Sequence, residues 1–433
     1  METLRFVMVS TFYPPHHLGG DAVHVQYLAD ALVDRGHEVH VEYSPAAYRA
    51  KRGSLPNASA PADPRVHLHP IPDRLRISGP AAAYMLGESR SASRFHERLV
   101  REVRPDVVHL HNISLLGLGV QRRLHSGPLL YTAHDYWFRC PRSDLLKYGI
   151  APCEAPSCFG CMVRSRRIPP AWRSSDIGNR FDQIGAVIAP SRFLMQLAHP
   201  SFGCPVVHIP NFAPDANPEG RIEPASPFYL YVGVLEKHKG VDRLAEAALR
   251  ASGGRRFVLV GRGSLEPRLR ALAHENPSRL EVRSDIDRAT LAGLLRRAAA
   301  FLMPSIWYEN APLAAIEALS WGSPLLVTAR GGAPELTHED AAGLSLEPTT
   351  DGILRILATF EALEDPASIR AAARRAYEVH HRPGPYLNRY LSVIRSLASG
   401  ESPDAAEDRT EESPGKVESS AQEALVEHGH HHP

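Results

Sequence analysis

Two carboxylates, Glu309 and Glu317, stand with seven residues between them in the stretch MPSIWYENAPLAAIE, Met303 to Glu317. Pro312 suits the first position of a helix, where its missing N–H costs nothing, and Ala311 to Trp321 is a run of good helix formers closed by Gly322. Glu309 is therefore expected in the loop feeding a helix and Glu317 more than a turn inside it. At about 1.5 Å per residue the carboxylates can stand roughly 10 Å apart along the axis, with the free N–H groups of the helix start between them. Such a row has the chemistry to hold a sugar nucleotide. Amides and the positive helix end suit a diphosphate, one carboxylate suits ribose hydroxyls, and the other suits sugar hydroxyls. Two Glu at this spacing also arise by chance, so the neighbouring residues decide how much weight the pair bears.

Further candidates fall between expected strands and helices. Gly19 and Gly20 follow a strand at Arg5 to Ser10 and open a helix at Gly20 to Arg35. That is the carboxyl end of a sheet, where α/β proteins bind ligands, and residues without Cβ permit close approach of a phosphate or sugar. An ordinary tight turn is the plain alternative. His134 follows a strand at Leu129 to Thr132, again at its carboxyl end. His109 and His111 stand at the end of a strand at Val107 to Leu110 and are read as facing opposite sides, with His111 the better candidate for lining a cleft. Lys239, in EKHKGVD, lies between a strand at Tyr229 to Val234 and a helix at Val241 to Arg250. Asp285 and Asp287 have the spacing of a metal-binding pair, but between a short strand and a helix at Ala289 to Ala298 they read as turn and cap residues.

Cys140, Cys153, Cys158 and Cys161 fall in one loop-rich stretch, with twelve, four and two residues between successive cysteines. This allows a tetrahedral thiolate site, although only the C-x2-C pair matches common zinc spacing. Structural zinc and unligated thiols are the main readings, with an iron–sulfur cluster behind them. Cys204, beside Pro205, reads as a small core residue. Arg164, Arg166, Arg167 and Arg173 form a local basic run, read as a solvated loop or as a patch facing anionic lipid or a phosphorylated acceptor.

The elements that must position these groups alternate short apolar runs with amphipathic helices, the pattern of parallel sheets covered on both faces. Strands are expected also at Glu38 to Tyr43 and Val187 to Ala189, then in a second series at Phe257 to Val260, Leu280 to Val282, Ala300 to Met303 and Pro324 to Thr328. The 433 residues are too many for one ordinary core. A Pro, Asn and Gly-rich hinge, HIPNFAPDANPEGRIEPASP, puts a first domain at residues 1–212 and a second at 213–385. A last apolar helix at 386–399 follows breaks at Pro383 and Pro385, and 400–433 reads as a disordered tail. The tail's His428, His430, His431 and His432 have no fixed backbone to make a dedicated metal site. With 49 basic and 48 acidic residues the chain gives no case for nucleic-acid binding. The first residues look like a buried strand rather than a signal peptide, and no segment approaches the roughly 20 apolar residues of a membrane span, so a cytoplasmic protein is expected.

Six stretches in order carry a resemblance to family-four glycosyltransferases, from the N-terminal region to about Ala398. They are STFYPPHHLGGDAVHVQYLADALVDRGHEVHV, RPDVVHLHN, YTAHDYW, IAPS, VGVLEKHKGVD and PSIWYENAPLAAIEALSWGSPLLVTARGGAPEL. The resemblance implies a GT-B fold: two Rossmann-like, doubly wound parallel-sheet domains facing across a cleft, with a C-terminal crossover helix packing on the first. It implies transfer of a sugar, of the hexosyl type, from a nucleotide-diphosphate sugar to an acceptor hydroxyl with retention. Cell-envelope polysaccharide or glycolipid synthesis is the commonest setting. His134 and Glu309 would touch the donor sugar as catalytic residues. Gly19, Gly20, Lys239, Asn310, Ala311 and Glu317 would bind the donor, and His111 would lie on the acceptor side. The acceptor would be a glycan, a lipid-linked molecule or a small molecule, with peripheral contact to the inner face of the cell membrane in view. No catalytic metal is required, since lysine, arginine and helix amides neutralise the leaving diphosphate. The family's usual arginine five positions before Lys239 is Val234 here. Uncompensated loss of a charge-assisted hydrogen bond weakens donor binding on the order of 10- to 100-fold, with Lys237 and Arg262 the candidates to substitute. The competing readings are a nucleotide-sugar 2-epimerase and a non-catalytic partner protein of the same fold.

Overall fold

The computed structural model describes residues 3–52, 63–72 and 78–403, apart from 123, 126, 174–175, 221–227, 253, 340 and 364. The histidine-bearing end of the tail and part of the hinge thus lie outside the described residues. The chain forms two compact units. The first comprises Met1–Tyr148, Cys153–Ile209 and the chain from Leu387 on, and the second comprises Gly149–Pro152 and Pro210–Tyr386.

Short apolar strands, the central ones buried almost throughout, build each sheet. The first has seven strands in the order Val66–Pro70, Glu38–Tyr43, Arg5–Val9, Val107–Leu110, Leu129–Thr132, Ala186–Ala189 and Val206–His208. The second has six: Leu280–Arg283, Arg256–Val260, Phe228–Val232, Ala300–Met303, Leu325–Thr328 and Gly343–Leu346. Every neighbouring pair in both is parallel. The strand order reverses between Arg5–Val9 and Val107–Leu110 in the first sheet, and between Phe228–Val232 and Ala300–Met303 in the second. At such a reversal the outgoing connections splay to opposite faces and open a crevice at the carboxyl edge.

In these two sheets three strands escape the sequence pattern, and Val66–Pro70, Val206–His208 and Gly343–Leu346 are all sheet edges; a separate two-stranded pair, Leu146–Lys147 with Ala151–Pro152, is not among the expected strands either. The first, VHLHP, carries polar residues that only an edge tolerates. The helix expected from Ala311 begins at Leu313 and ends at Ser320, because Pro312 keeps an extended backbone (ψ 118°) and serves as N-cap. Pro383 and Pro385 do not precede the last helix but sit in its first turn, Pro383–Ser399, where no N–H is needed. The opposite facing expected for His109 and His111 is wrong. Strand residues two apart share a face, and their ring centroids are 4.0 Å apart. The final helix returns the chain to the first unit, where Tyr390 stacks on Phe6 and its hydroxyl bonds His109 Nδ1 at 2.9 Å.

Candidate active site

In the second unit, Lys239 and Glu309 are carried by the loops after the two strands that flank the reversal. Lys239 ends a tight turn, Lys237–Lys239, and Gly240 then takes the left-handed region (φ +72°), where a Cβ would strike the Pro304 carbonyl. The two loops are bonded together, Ile306 N donating to His238 O at 2.9 Å. Lys239 Nζ lies 2.6 Å from Glu309 Oε1 and 4.3 Å from the centre of the Trp307 ring, and Ser305 Oγ also donates to Glu309. Burial alone would raise the Glu309 carboxyl, but the Lys239 charge and the hydrogen bonds from Lys239 and Ser305 outweigh it, so the acid is held below its ordinary value. Glu309 is further fixed from behind by Gly331 (φ +70°), whose missing Cβ leaves room for the Glu309 carbonyl, and by Gly332 N donating to that carbonyl at 2.7 Å.

The short helix Leu313–Ser320 follows directly. The Ala311 carbonyl accepts from Asn211 Nδ2 at 3.0 Å, which pins the entry, and Glu317 stands partly exposed on the helix. Neither proposed substitute for the missing arginine is placed like Lys239. Lys237 is exposed, and Arg262 is ion-paired with Asp285 on the surface. Asp287 caps the helix Arg288–Arg297 by accepting from Thr290 N at 2.7 Å, so the D-x-D is accounted for by an ion pair and a cap.

In the first unit, Gly19 is the exposed N-cap of the helix Gly20–Asp34, with φ −155°. Any residue adopts that backbone, and a Cβ would meet only Asp21 Oδ1 at 3.3 Å. The fold itself therefore makes no demand for glycine here. Asp21, in the same turn, accepts from Asn112 Nδ2 at 2.8 Å, joining the helix start to the end of the Val107–Leu110 strand.

His134 heads a row of imidazoles. His111 Nδ1 and His134 Nε2 are 3.0 Å apart, the His24 and His134 rings 5.1 Å, and His109 Nε2 bonds Thr132 Oγ1 at 2.8 Å. Burial lowers His134 to about 3, and burial with mutual repulsion lowers His24, His109 and His111 well below the ordinary value. All four are neutral near pH 7. His111, expected on the acceptor side, is fully buried and lies within hydrogen-bond distance of His134. Sequence reasoning missed Ser305 and Trp307, and also Asp135, which burial raises to about 7 while its Oδ1 accepts from Trp137 N at 2.8 Å. For each, its place beside a motif residue was the available signal.

Comparison with known proteins bears on the whole chain. Residues 18–216 match the model of Glycosyltransferase Family 4, and residues 214–378 match that of Glycosyl transferases group 1. The chain belongs to glycosyltransferase family four. This glycosyltransferase is 28% identical over 397 residues to a glycogen synthase of Mycobacterium tuberculosis, covering 86% of this chain and 89% of the relative. It is 25% identical over 388 residues to a GDP-mannose-dependent alpha-(1-6)-phosphatidylinositol dimannoside mannosyltransferase of the same species, covering 86% and 92%. Among solved structures it superposes on a sucrose-phosphate synthase from Thermosynechococcus elongatus with a TM-score of 0.67, at 19% identity, covering 92% of this chain and all of that one. The fold is GT-B.

Proposed function

We propose that this glycosyltransferase moves a hexosyl group from a nucleoside-diphosphate sugar to a hydroxyl of a glycan, lipid-linked or small-molecule acceptor, with retention, in cell-envelope polysaccharide or glycolipid synthesis. The observation that carries the reading is the Lys239–Glu309 ion pair beside the strand reversal of the second sheet, next to the helix start at Pro312. A diphosphate arriving there competes with Glu309 for Lys239. Once Lys239 turns to phosphate, Glu309 is left ionised, with Ser305, and accepts from sugar hydroxyls. Glu317 is available for ribose hydroxyls, and the amides from Asn310 onward face the diphosphate charge.

Retention follows a front-face route. The bond from the anomeric carbon to the phosphate oxygen breaks, the acceptor oxygen bonds the same face, and the acceptor proton passes to the departing phosphate. The enzyme contributes positioning and charge stabilisation. A neutral His134 fits a hydrogen-bonding role toward the sugar rather than that of an acid. Gly19 and Gly20 supply close backbone approach, which at Gly19 the fold does not itself require.

No helix among the described residues is long and apolar enough to cross a membrane. We infer a cytoplasmic protein that touches the inner face of the membrane. Phe159 and Val163, one helical turn apart, are 74% and 53% exposed beside Arg164, Arg166 and Arg167, the composition that favours an anionic lipid surface.

A panel of nucleotide sugars incubated with and without acceptor glycans and lipids tests the reading. Release of nucleoside diphosphate that depends on acceptor, with the anomeric configuration of the donor kept in the product, is the expected result. Val234 keeps a second reading in view, a partner protein that binds donor without turnover. Donor binding with no release would favour it, and epimerised sugar would favour a 2-epimerase.

A further inference from the structure

The cysteine-rich stretch serves neither the donor site nor the histidine row, yet its backbone is under tight constraint. Ser143, Leu145 and Tyr148 all hold left-handed conformations, with φ of 66°, 49° and 58°. Non-glycine residues there cost of order 1–3 kcal/mol each and persist only where their surroundings dictate them. These turns direct N–H groups at sulfur. Tyr148 N donates to Cys161 Sγ at 3.1 Å, and the backbone N–H groups of Arg142, Asp144 and Leu145 are directed at Cys140. None of the cysteines is in a disulfide.

A second observation concerns charge. The Arg173 guanidinium lies 5.0 Å over the Trp137 ring, and its Nε and one Nη are buried without a hydrogen-bond partner. Burial pulls this guanidinium down to about 10, and the acidic groups facing it are Cys140, Asp135, Tyr131 and Cys158. Neutral thiols offer such a cation nothing, whereas four thiolates around a divalent ion carry a net charge of about −2.

Among the described residues, the group of metal-ligating atoms within 4.8 Å of one another is Glu38, His40 and His67, and the cysteines form no such group. Two of those three are bonded to one another: His40 bonds Glu38 through Nε2 at 2.8 Å, and its Nδ1 bonds His69 at 2.9 Å. The buried guanidinium nitrogens without a hydrogen-bond partner lie instead on Arg173, beside the cysteines.

We propose that Cys140, Cys153, Cys158 and Cys161 close on one structural zinc ion, with Arg173 offsetting the charge of the tetrathiolate. Each sulfur gives its proton to solvent as the metal binds, and the metal draws the four within about 4 Å of one another. The ion pins the segment that leads from the His134 strand to the exposed Phe159 and Val163, outside the donor site.

The full-length chain, passed over a chelating resin to strip the histidine tail, is analysed for metal. About one zinc per chain is expected in the wild type and in Cys204→Ser, and less than about 0.2 in Cys158→Ser and Cys161→Ser. Cobalt substitution should give sulfur-to-metal charge-transfer absorption, which imidazoles of the tail cannot produce. Arg173→Gln should still bind zinc but release it faster to a chelator. A readout that needs no variant is the thiol count under native conditions, expected to be one (Cys204) and to rise to five after chelation. Five reactive thiols from the start, zinc retained in Cys161→Ser, or iron and sulfide in place of zinc would each overturn the proposal.

Discussion

At the scale of single residues, the donor site is governed by a buried charge pair rather than by two independent groups. Removing one partner of such a pair leaves the other uncompensated at roughly 3–5 kcal/mol, so variants must be read against their stability. Lys239→Ala and Glu317→Ala should each weaken binding of the bare nucleoside diphosphate about 10-fold or more. Calorimetry on variants shown folded by melting is the check, and unchanged affinity in both would remove these residues from the pocket. Glu309→Gln and His134→Ala should do the opposite, lowering turnover while nucleotide affinity holds, since both are assigned to the sugar. Glu309→Gln also frees Lys239, so its nucleotide affinity should not fall. Wild-type turnover in His134→Ala would contradict the role given to the imidazole row.

At the scale of elements, glycines separate what the fold needs from what a ligand needs. Gly331 holds φ +70° and its Cβ would strike the Glu309 carbonyl, whereas Gly19 has an ordinary backbone and open surroundings. Gly331→Ala should therefore lose at least 1–3 kcal/mol, roughly, of stability and disturb Glu309 as well. Gly19→Ala should melt within about 0.5 kcal/mol of wild type yet bind donor more weakly. Paired melting and titration curves decide it. A Gly19→Ala variant that binds normally would show the glycine to be incidental. The helix start behaves in the same local way: Pro312 fixes where Leu313–Ser320 begins, and its position was legible to within two residues because proline restricts its own φ and removes a donor.

At the scale of the molecule, the first unit holds four neutral imidazoles, with His24, His109 and His111 buried and His134 half-buried, and this makes its stability a function of pH. His134 sits near 3 when folded against an ordinary value of 6.5, and His24, His109 and His111 are also depressed. The unfolded chain therefore takes up protons that the folded chain refuses. Stability is full above about pH 6.5 and is lost as pH falls from there toward 3. The melting temperature should drop by roughly 5 °C or more between pH 7.5 and pH 5, and a flat profile would mean that these rings are not buried uncharged. The sequence by itself determined the alternation of strands and helices, the two-unit plan, the loops bearing Gly19, His134, Lys239 and Glu309 and the helix bearing Glu317, because each depends on local periodicity or on proline and glycine at an element's end. It could not give three of the four edge strands, Val66–Pro70, Val206–His208 and Gly343–Leu346, whose mixed or short pattern becomes a strand only when a neighbour offers its hydrogen bonds. Nor could it give the pairing of Lys239 with Glu309, 70 residues apart, or Tyr390 bonding His109 across 281. Those contacts arise from strand order and from the return of the last helix, which are properties of packing between distant segments and leave no periodic trace in the chain.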